Sequence, residues 1–165
     1  MKKALASLLG FLCSFIVAFA DNSDYVKVTS APDDWSGEYL IVYENSATES
    51  WVFKGSLTTL DVTSNYVTAA ISNGKITADD SNQFTIASTS TEGSYTIKSA
   101  SGKYIGRSAS GNGLNTSDEA SLTNSISLSK GEVVIKTTTY SSGQTLRFNN
   151  ASNQKRFRYF GCFST

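Results

Sequence analysis

The sequence predicts an all-β domain of β-trefoil-like architecture, and three observations carry that prediction. Short runs alternate apolar and polar residues with period two, as half-buried strands do. Gly, Asn and Ser interrupt the chain every few residues, and no window holds a sustained helical stripe. Three segments also share one pattern: "YLIVYENSATESWVFKGSL" from Tyr39, "YTIKSASGKYIGRSASGNGL" from Tyr95 and "VVIKTTTYSSGQTLRFNN" from Val133. Each opens on an aromatic or β-branched residue, any residue, then Ile, and continues through a polar turn into a second strand. Each unit reads as strand, turn, strand, loop, strand, strand; three such units describe a trefoil. A β-sandwich of short strands is the alternative.

The elements follow in order. Lys2 and Lys3 precede an apolar, uncharged stretch, Ala4 to Ala20, that ends Ala18-Phe19-Ala20 before Asp21. This predicts a signal peptide over residues 1–20, and so a chain that is secreted, periplasmic or at the cell surface, off the membrane after cleavage. A membrane anchor is the rival reading, at the short limit for a span. One domain then covers 21–165, with units at about 25–88, 89–131 and 132–165. Strands are expected at Tyr25–Val28, Tyr39–Tyr43, Ser50–Gly55, Tyr66–Ser72 and Lys75–Ala78, the last two joined by the hairpin signal Asn73-Gly74. Gln83–Ala87, Tyr95–Lys98, Lys103–Arg107 and Leu114–Ser117 come next. Ser125–Ser129, Val133–Lys136, Thr145–Asn149 and Arg156–Phe160 complete the series. The third unit supplies three strands. "QFTIA" and "SISLS" end the first two units, and no counterpart follows Phe160. The reading therefore expects a truncated or divergent last strand and an open sheet edge.

Composition narrows the chemistry. Ser and Thr fill 43 of the 145 residues after Ala20, yet they alternate with apolar residues, so the region is not a disordered stalk. Twelve basic and 14 acidic residues remain there, a net charge of −2, and no basic field draws in nucleic acid. Cys162 is the lone cysteine beyond the leader, so no internal disulfide is expected. The chain has no histidine, which removes Ser-His-Asp and Cys-His nucleophiles and imidazole metal sites. No cofactor is expected.

Candidate binding residues are few. In Lys155-Arg156-Phe157-Arg158-Tyr159, period two sends Phe157 and Tyr159 inward and Arg156 and Arg158 outward, where they can grip an anion. Trp51 is a candidate sugar-stacking platform; core packing is the plainer fate of both Trp35 and Trp51. Arg107 and Asn112, in a glycine-rich stretch, complete the ligand-binding set. Gly102, Gly106, Gly111 and Gly113 in that stretch are read as turn glycines, because no helix follows to make an anion site. Asp33-Asp34 and Asp79-Asp80 sit beside turn signals, where loop solvation explains them better than paired-acid catalysis.

The stretches "SAPDDWSGEYLIVYE", "KGSLTTLD", "YTIKSASGKYIGR", "GNGL" and "SNQKRFRYF" run in that order over about Tyr25 to Phe160. In them the chain resembles a recurrent module of secreted proteins from gut anaerobic bacteria, found alone or appended to secreted hydrolases. Members of that family typically continue past the "RFRYF" strand into a last apolar strand, a pattern from which this sequence departs. The resemblance implies an accessory binding or packing role and carries no catalytic residues. The Gln-x-Trp pattern of ricin-type sugar-binding trefoils is absent. The functional expectation is a secreted non-catalytic module for carbohydrate or another surface polymer, with a glycan or a surface protein as partner. A protein-interaction or protease-inhibitor module, using the loops Glu44–Ser50 and Leu57–Ser81, is the alternative.

Overall fold

The computed structural model describes residues 22–161, which form fourteen strands and one turn of 3-10 helix. The all-β expectation holds, and all the strand pairs are antiparallel. The strands are β1 (Asn22–Val26), β2 (Gly37–Tyr39), β3 (Val42–Glu44), β4 (Glu49–Phe53), β5 (Tyr66–Ser72), β6 (Lys75–Asp79) and β7 (Phe84–Ser88). They continue as β8 (Tyr95–Ser99), β9 (Tyr104–Gly106), β10 (Asn115–Ser117), β11 (Thr123–Ser129), β12 (Glu132–Thr137), β13 (Thr145–Asn149) and β14 (Arg156–Phe160). The expected leader and Cys162 lie outside the described residues.

Most strands fall within a residue or two of their expected bounds. β1 starts at Asn22, ahead of the expected Tyr25, and the run Tyr39–Tyr43 is two strands. β2 pairs with β7 and β3 with β4 in another sheet. The chain changes sheets at Leu40-Ile41, and the Ile41 carbonyl accepts the Phe53 N–H at 2.8 Å. The first unit's extra length is the β5–β6 ribbon, onto which β1 pairs. Asn73 (φ 52°) and Gly74 (φ 72°) close the ribbon as the hairpin signal requires. Lys130 (φ 53°) and Gly131 (φ 79°) turn β11 into β12 in the same way; Lys is no turn former, so only the glycine advertised this one.

Several strand pairs fall at like positions of the segments compared above. Tyr39 lies opposite Phe84 and Tyr95 opposite Asn124. Ile97 lies opposite Ile86 and Ile135 opposite Ile126. Val42–Val52, Lys98–Tyr104 and Lys136–Thr145 are the matching next pairs. The strand run is β2–β7–β8–β11–β12. Within the described residues, the side of β12 away from β11 meets only β13, at Lys136, and the side of β2 away from β7 meets no strand.

The core is built on Phe53, Leu60, Phe84, Ile97, Ile105 and Tyr159, each at most 1% exposed. Phe53 packs its ring against Phe84 and Phe157 at 4.9 Å. Burying such side chains contributes about 1.5–3 kcal/mol each. Buried amides then lock the units together. Asn65 donates to the Leu60 and Phe157 carbonyls and accepts the Phe157 N–H at 2.7 Å. Asn124 donates to the Ile105 carbonyl and accepts the Tyr159 hydroxyl at 2.7 Å. Gln144 donates to the carbonyls of Ala109 and Gly111. Each amide satisfies backbone groups that ladders leave unpaired, at positions where an apolar residue would strand them.

Candidate functional site

The five candidate ligand-binding residues are all held by internal contacts. Trp51 is 6% exposed. Its ring packs against Tyr43, Tyr66 and Phe148 at 5.6, 5.4 and 4.6 Å between centroids. The Lys155 ammonium sits 4.5 Å from its centroid, and its Nε1–H donates to Glu49 at 3.1 Å. No ring face is left for a sugar. Trp35, 5% exposed, is likewise core. The "SWVFKG" run gives no sign of this, because both faces of β4 are covered and alternation alone does not say so.

Arg107 closes its own loop. Its Nε, Nη1 and Nη2 donate to the Gly111 carbonyl, the Asn115 side chain and the Ser110 carbonyl at 3.3, 3.0 and 2.6 Å. Asn112 accepts the Gly161 N–H at 3.3 Å. Arg158 forms a fork with Asp61, two bonds of 3.0 Å, and Asp61 also accepts the Leu114 N–H. Arg156 reaches the Gln154 side chain. Phe157 and Tyr159 point inward at 2% and 0% exposure, as the alternation predicted. Two glycines of this region serve contact and not a turn, which corrects the reading of Gly106 and Gly113. A Cβ on Gly106 would lie 2.8 Å from that of Leu122, and one on Gly113 would lie 2.6 Å from Arg107 Nη1. Gly102 (φ 88°) and Gly111 (φ 73°) are turn positions as expected.

Three of the paired acids, Asp34, Asp79 and Asp80, make structural contacts. Asp34 accepts from the Ser36 N–H and hydroxyl at 3.0 Å. Asp79 caps the 3-10 helix Asp80–Asn82 by accepting the Ser81 N–H at 2.7 Å. Asp80 accepts the Tyr25 and Ser23 hydroxyls at 2.5 and 3.0 Å, which ties β1 down. Partial burial and the Asp80 carboxylate raise the Tyr25 phenol above its ordinary value.

Outside these contacts lies a groove that sequence reading did not assign. Along the β5–β6 ribbon, a hollow of about 530 Å3 is lined by Asn22, Lys54, Thr68, Thr77, Asp79 and Asn82, among others. A second, of about 440 Å3, is lined by Asp24, Ser72, Asn73 and Lys75 and shares Ala70 and Thr77 with the first. The two are open hollows that adjoin at Ala70 and Thr77. Lys54 has no acidic partner among the described residues. Asn82 is 5% exposed; its Nδ2 donates to the Asp79 carbonyl at 3.2 Å, and its Oδ1 meets no donor. The groove lies along β1, β5 and β6 of the five-stranded sheet and the residues that follow β4 and β6, a tertiary juxtaposition with no linear motif.

The loops proposed as protein-binding arms are mostly regular structure. Glu44–Ser50 is a tight turn, with the N–H groups of Asn45 and Ser46 both donating to the Glu49 carbonyl at 3.0 Å. Leu57–Ser81 contains β5 and β6. Comparison of the chain with protein-family models, curated proteins and solved structures gives no match.

Proposed function

We propose that the protein is a secreted, non-catalytic, trefoil-like binding module that holds a hydroxyl-rich polymer, carbohydrate in the first instance, along the β5–β6 groove. The observation that carries this reading is the pair of adjoining open hollows, whose lining sets hydroxyl, amide, carboxylate and ammonium groups beside Val67, Ala69, Ala70 and Ala78. Such groups offer donors and acceptors side by side, as sugar hydroxyls require, and an open trough admits a chain longer than itself. The repeated register of the strands supports the trefoil-like assignment. The protease-inhibitor alternative rests on long loops; Glu44–Ser50 is a tight turn and Tyr66–Asp79 a paired ribbon, which leaves residues 57–65 as the longer irregular segment.

A glycan array, followed by titration calorimetry on any hit, tests the proposal. Lys54→Ala should weaken binding about tenfold, roughly 1.4 kcal/mol, and Arg158→Ala should not change it. No binding across plant, host and bacterial glycans would overturn the carbohydrate assignment. Equal loss in both variants would move the site away from the groove.

A further inference from the structure

We infer that Asn73 is a site of spontaneous covalent modification: its side chain closes on the Gly74 nitrogen and reopens as aspartate or isoaspartate, while the fold withholds the same chemistry from Asn112. The inference rests on the surroundings of two Asn-Gly pairs and is independent of what the groove binds.

Asn73-Gly74 and Asn112-Gly113 are the two Asn-Gly pairs of the sequence. A glycine after asparagine has no side chain to shield its backbone nitrogen, so either pair cyclises readily in a flexible chain. The fold separates them. Asn73 and Gly74 are both exposed at the tip of the β5–β6 hairpin, beyond its last ladder pair, Ser72–Lys75. Among the described residues the Gly74 N–H bonds no carbonyl, and a Cβ on Gly74 would meet nothing within 4 Å. Gly113 is buried. Its N–H donates to the Tyr159 carbonyl, and its own carbonyl accepts the Tyr159 N–H, each at 3.0 Å. The Asn112 side chain accepts the Gly161 N–H at 3.3 Å, and the Arg107 guanidinium fills the space a Cβ on Gly113 would take.

The step needs only water. Water or hydroxide takes the Gly74 amide proton, the nitrogen attacks Asn73 Cγ, and the C–N bond of the side-chain amide breaks to release ammonia. The succinimide so formed takes up water at either carbonyl, and opens to aspartate at one and to isoaspartate at the other. The two positive φ values (52° and 72°) mark a type I′ turn, which holds the nitrogen away from Cγ, so the tip must open first. At Asn73 that opening disturbs at most the last ladder pair of a hairpin. At Asn112 it breaks the bridge from Gly113 to Tyr159, which is 0% exposed. Local opening costs least where few buried contacts are lost. Each event places a carboxylate beside Asp24 and Lys75 in the smaller hollow. Aspartate before glycine suits the same turn, whereas isoaspartate adds a methylene to the backbone and spoils it.

The test incubates the purified chain in mildly alkaline, heavy-oxygen water, once folded and once in denaturant, and reads both sites by peptide mapping and mass spectrometry. The heavy oxygen marks hydrolysis that occurred during the incubation. In the folded chain Asn73 should convert at least tenfold faster than Asn112, with isoaspartate the major product. In denaturant the two rates should converge, because the sequence around each nitrogen is then all that matters. Three outcomes would overturn the inference. Equal rates in the folded chain, or a lead for Asn112, would remove the protection assigned to the Tyr159 bridge. An Asn73 that stays intact while the denatured chain reacts would remove the site. Aspartate without isoaspartate would remove the cyclisation, since direct hydrolysis of the side-chain amide gives aspartate alone.

Discussion

β8 and β12 carry nearly the same sequence, "YTIK" and "VVIK", and differ in their surroundings. Among the described residues, β8 has β7 on one side and β9 and β11 on the other; β12 has β11 on one side and β13 only at Lys136 on the other. Ile97 is accordingly 0% exposed and Ile135 7%, while Tyr95 is 8% and Val133 43%. Burial here is a property of neighbours and not of the local pattern. The alternation says which side chains share a face, and only the pairing says whether that face is covered.

The largest expected effect tests this directly. Ile97→Ala should cost about 4 kcal/mol, near the top of the range for a buried aliphatic truncated in a rigid site, and Ile135→Ala about 2, because the open side lets the gap collapse or hydrate. Chemical denaturation of the two variants measures the difference. Equal losses would show that the β12 edge is as well packed as β8, and the contrast between the two units would fall with them.

The strands were legible because alternation, turn residues and the Val, Ile, Phe and Tyr content agree on period two. The likeness of three segments was legible because similar packing demands similar residues: Ile41, Ile97 and Ile135 each stand third in their segment and pack into or against the core. The joints between units were not legible. Asn65, Asn124 and Gln144 look like ordinary loop or strand-end polar residues, and nothing local says that each will be at most 1% exposed. The candidate residues show the same limit of local reading. Arginine and tryptophan were chosen for what they can bind, and the fold satisfies that capacity internally, with Asp61 for Arg158 and Lys155 for Trp51. The groove was invisible because Asn22, Lys54 and Asn82 are far apart in sequence.

A middle-sized effect falls on the joint between the second and third units. Tyr159→Phe deletes the hydroxyl that Asn124 Oδ1 accepts and leaves a buried acceptor unpaired, at a cost of about 2 kcal/mol. The same hydroxyl makes the joint pH-sensitive. Burial holds the Tyr159 phenol well above its ordinary value, and Tyr25 is raised as well. A raised folded pKa favours the protonated form, so this stability is fully present below the unfolded value of about 10 and drains as pH climbs past it. Stability of the parent should fall steeply as pH rises from about 10, and Tyr159→Phe should flatten that fall. A parent curve that stays level to pH 11 would mean that the phenol reaches water more easily than its 0% exposure allows.

The smallest effects separate a joint from a turn at equivalent positions. Ser99 ends β8, and its hydroxyl bonds locally, to Ser101 at 2.9 Å and the Lys103 carbonyl at 3.0 Å. Thr137 ends β12, and its hydroxyl reaches the previous unit, donating to the Arg107 carbonyl at 2.8 Å and accepting the Arg107 N–H at 3.3 Å. Thr137→Val keeps the side-chain shape and strands both Arg107 groups, so it should cost about 1 kcal/mol; Ser99→Ala should cost about 0.5, since its turn keeps the Ser99 N–H to Lys103 carbonyl bond. Hydrogen exchange distinguishes them further. Loss of the Thr137 hydroxyl should speed exchange at Arg107, in the neighbouring unit, whereas loss of the Ser99 hydroxyl should speed it only at Lys103, whose N–H it accepts at 3.2 Å. If both variants loosened only their own turns, the polar contacts between units would be passengers, and the units would be held together by the apolar core alone.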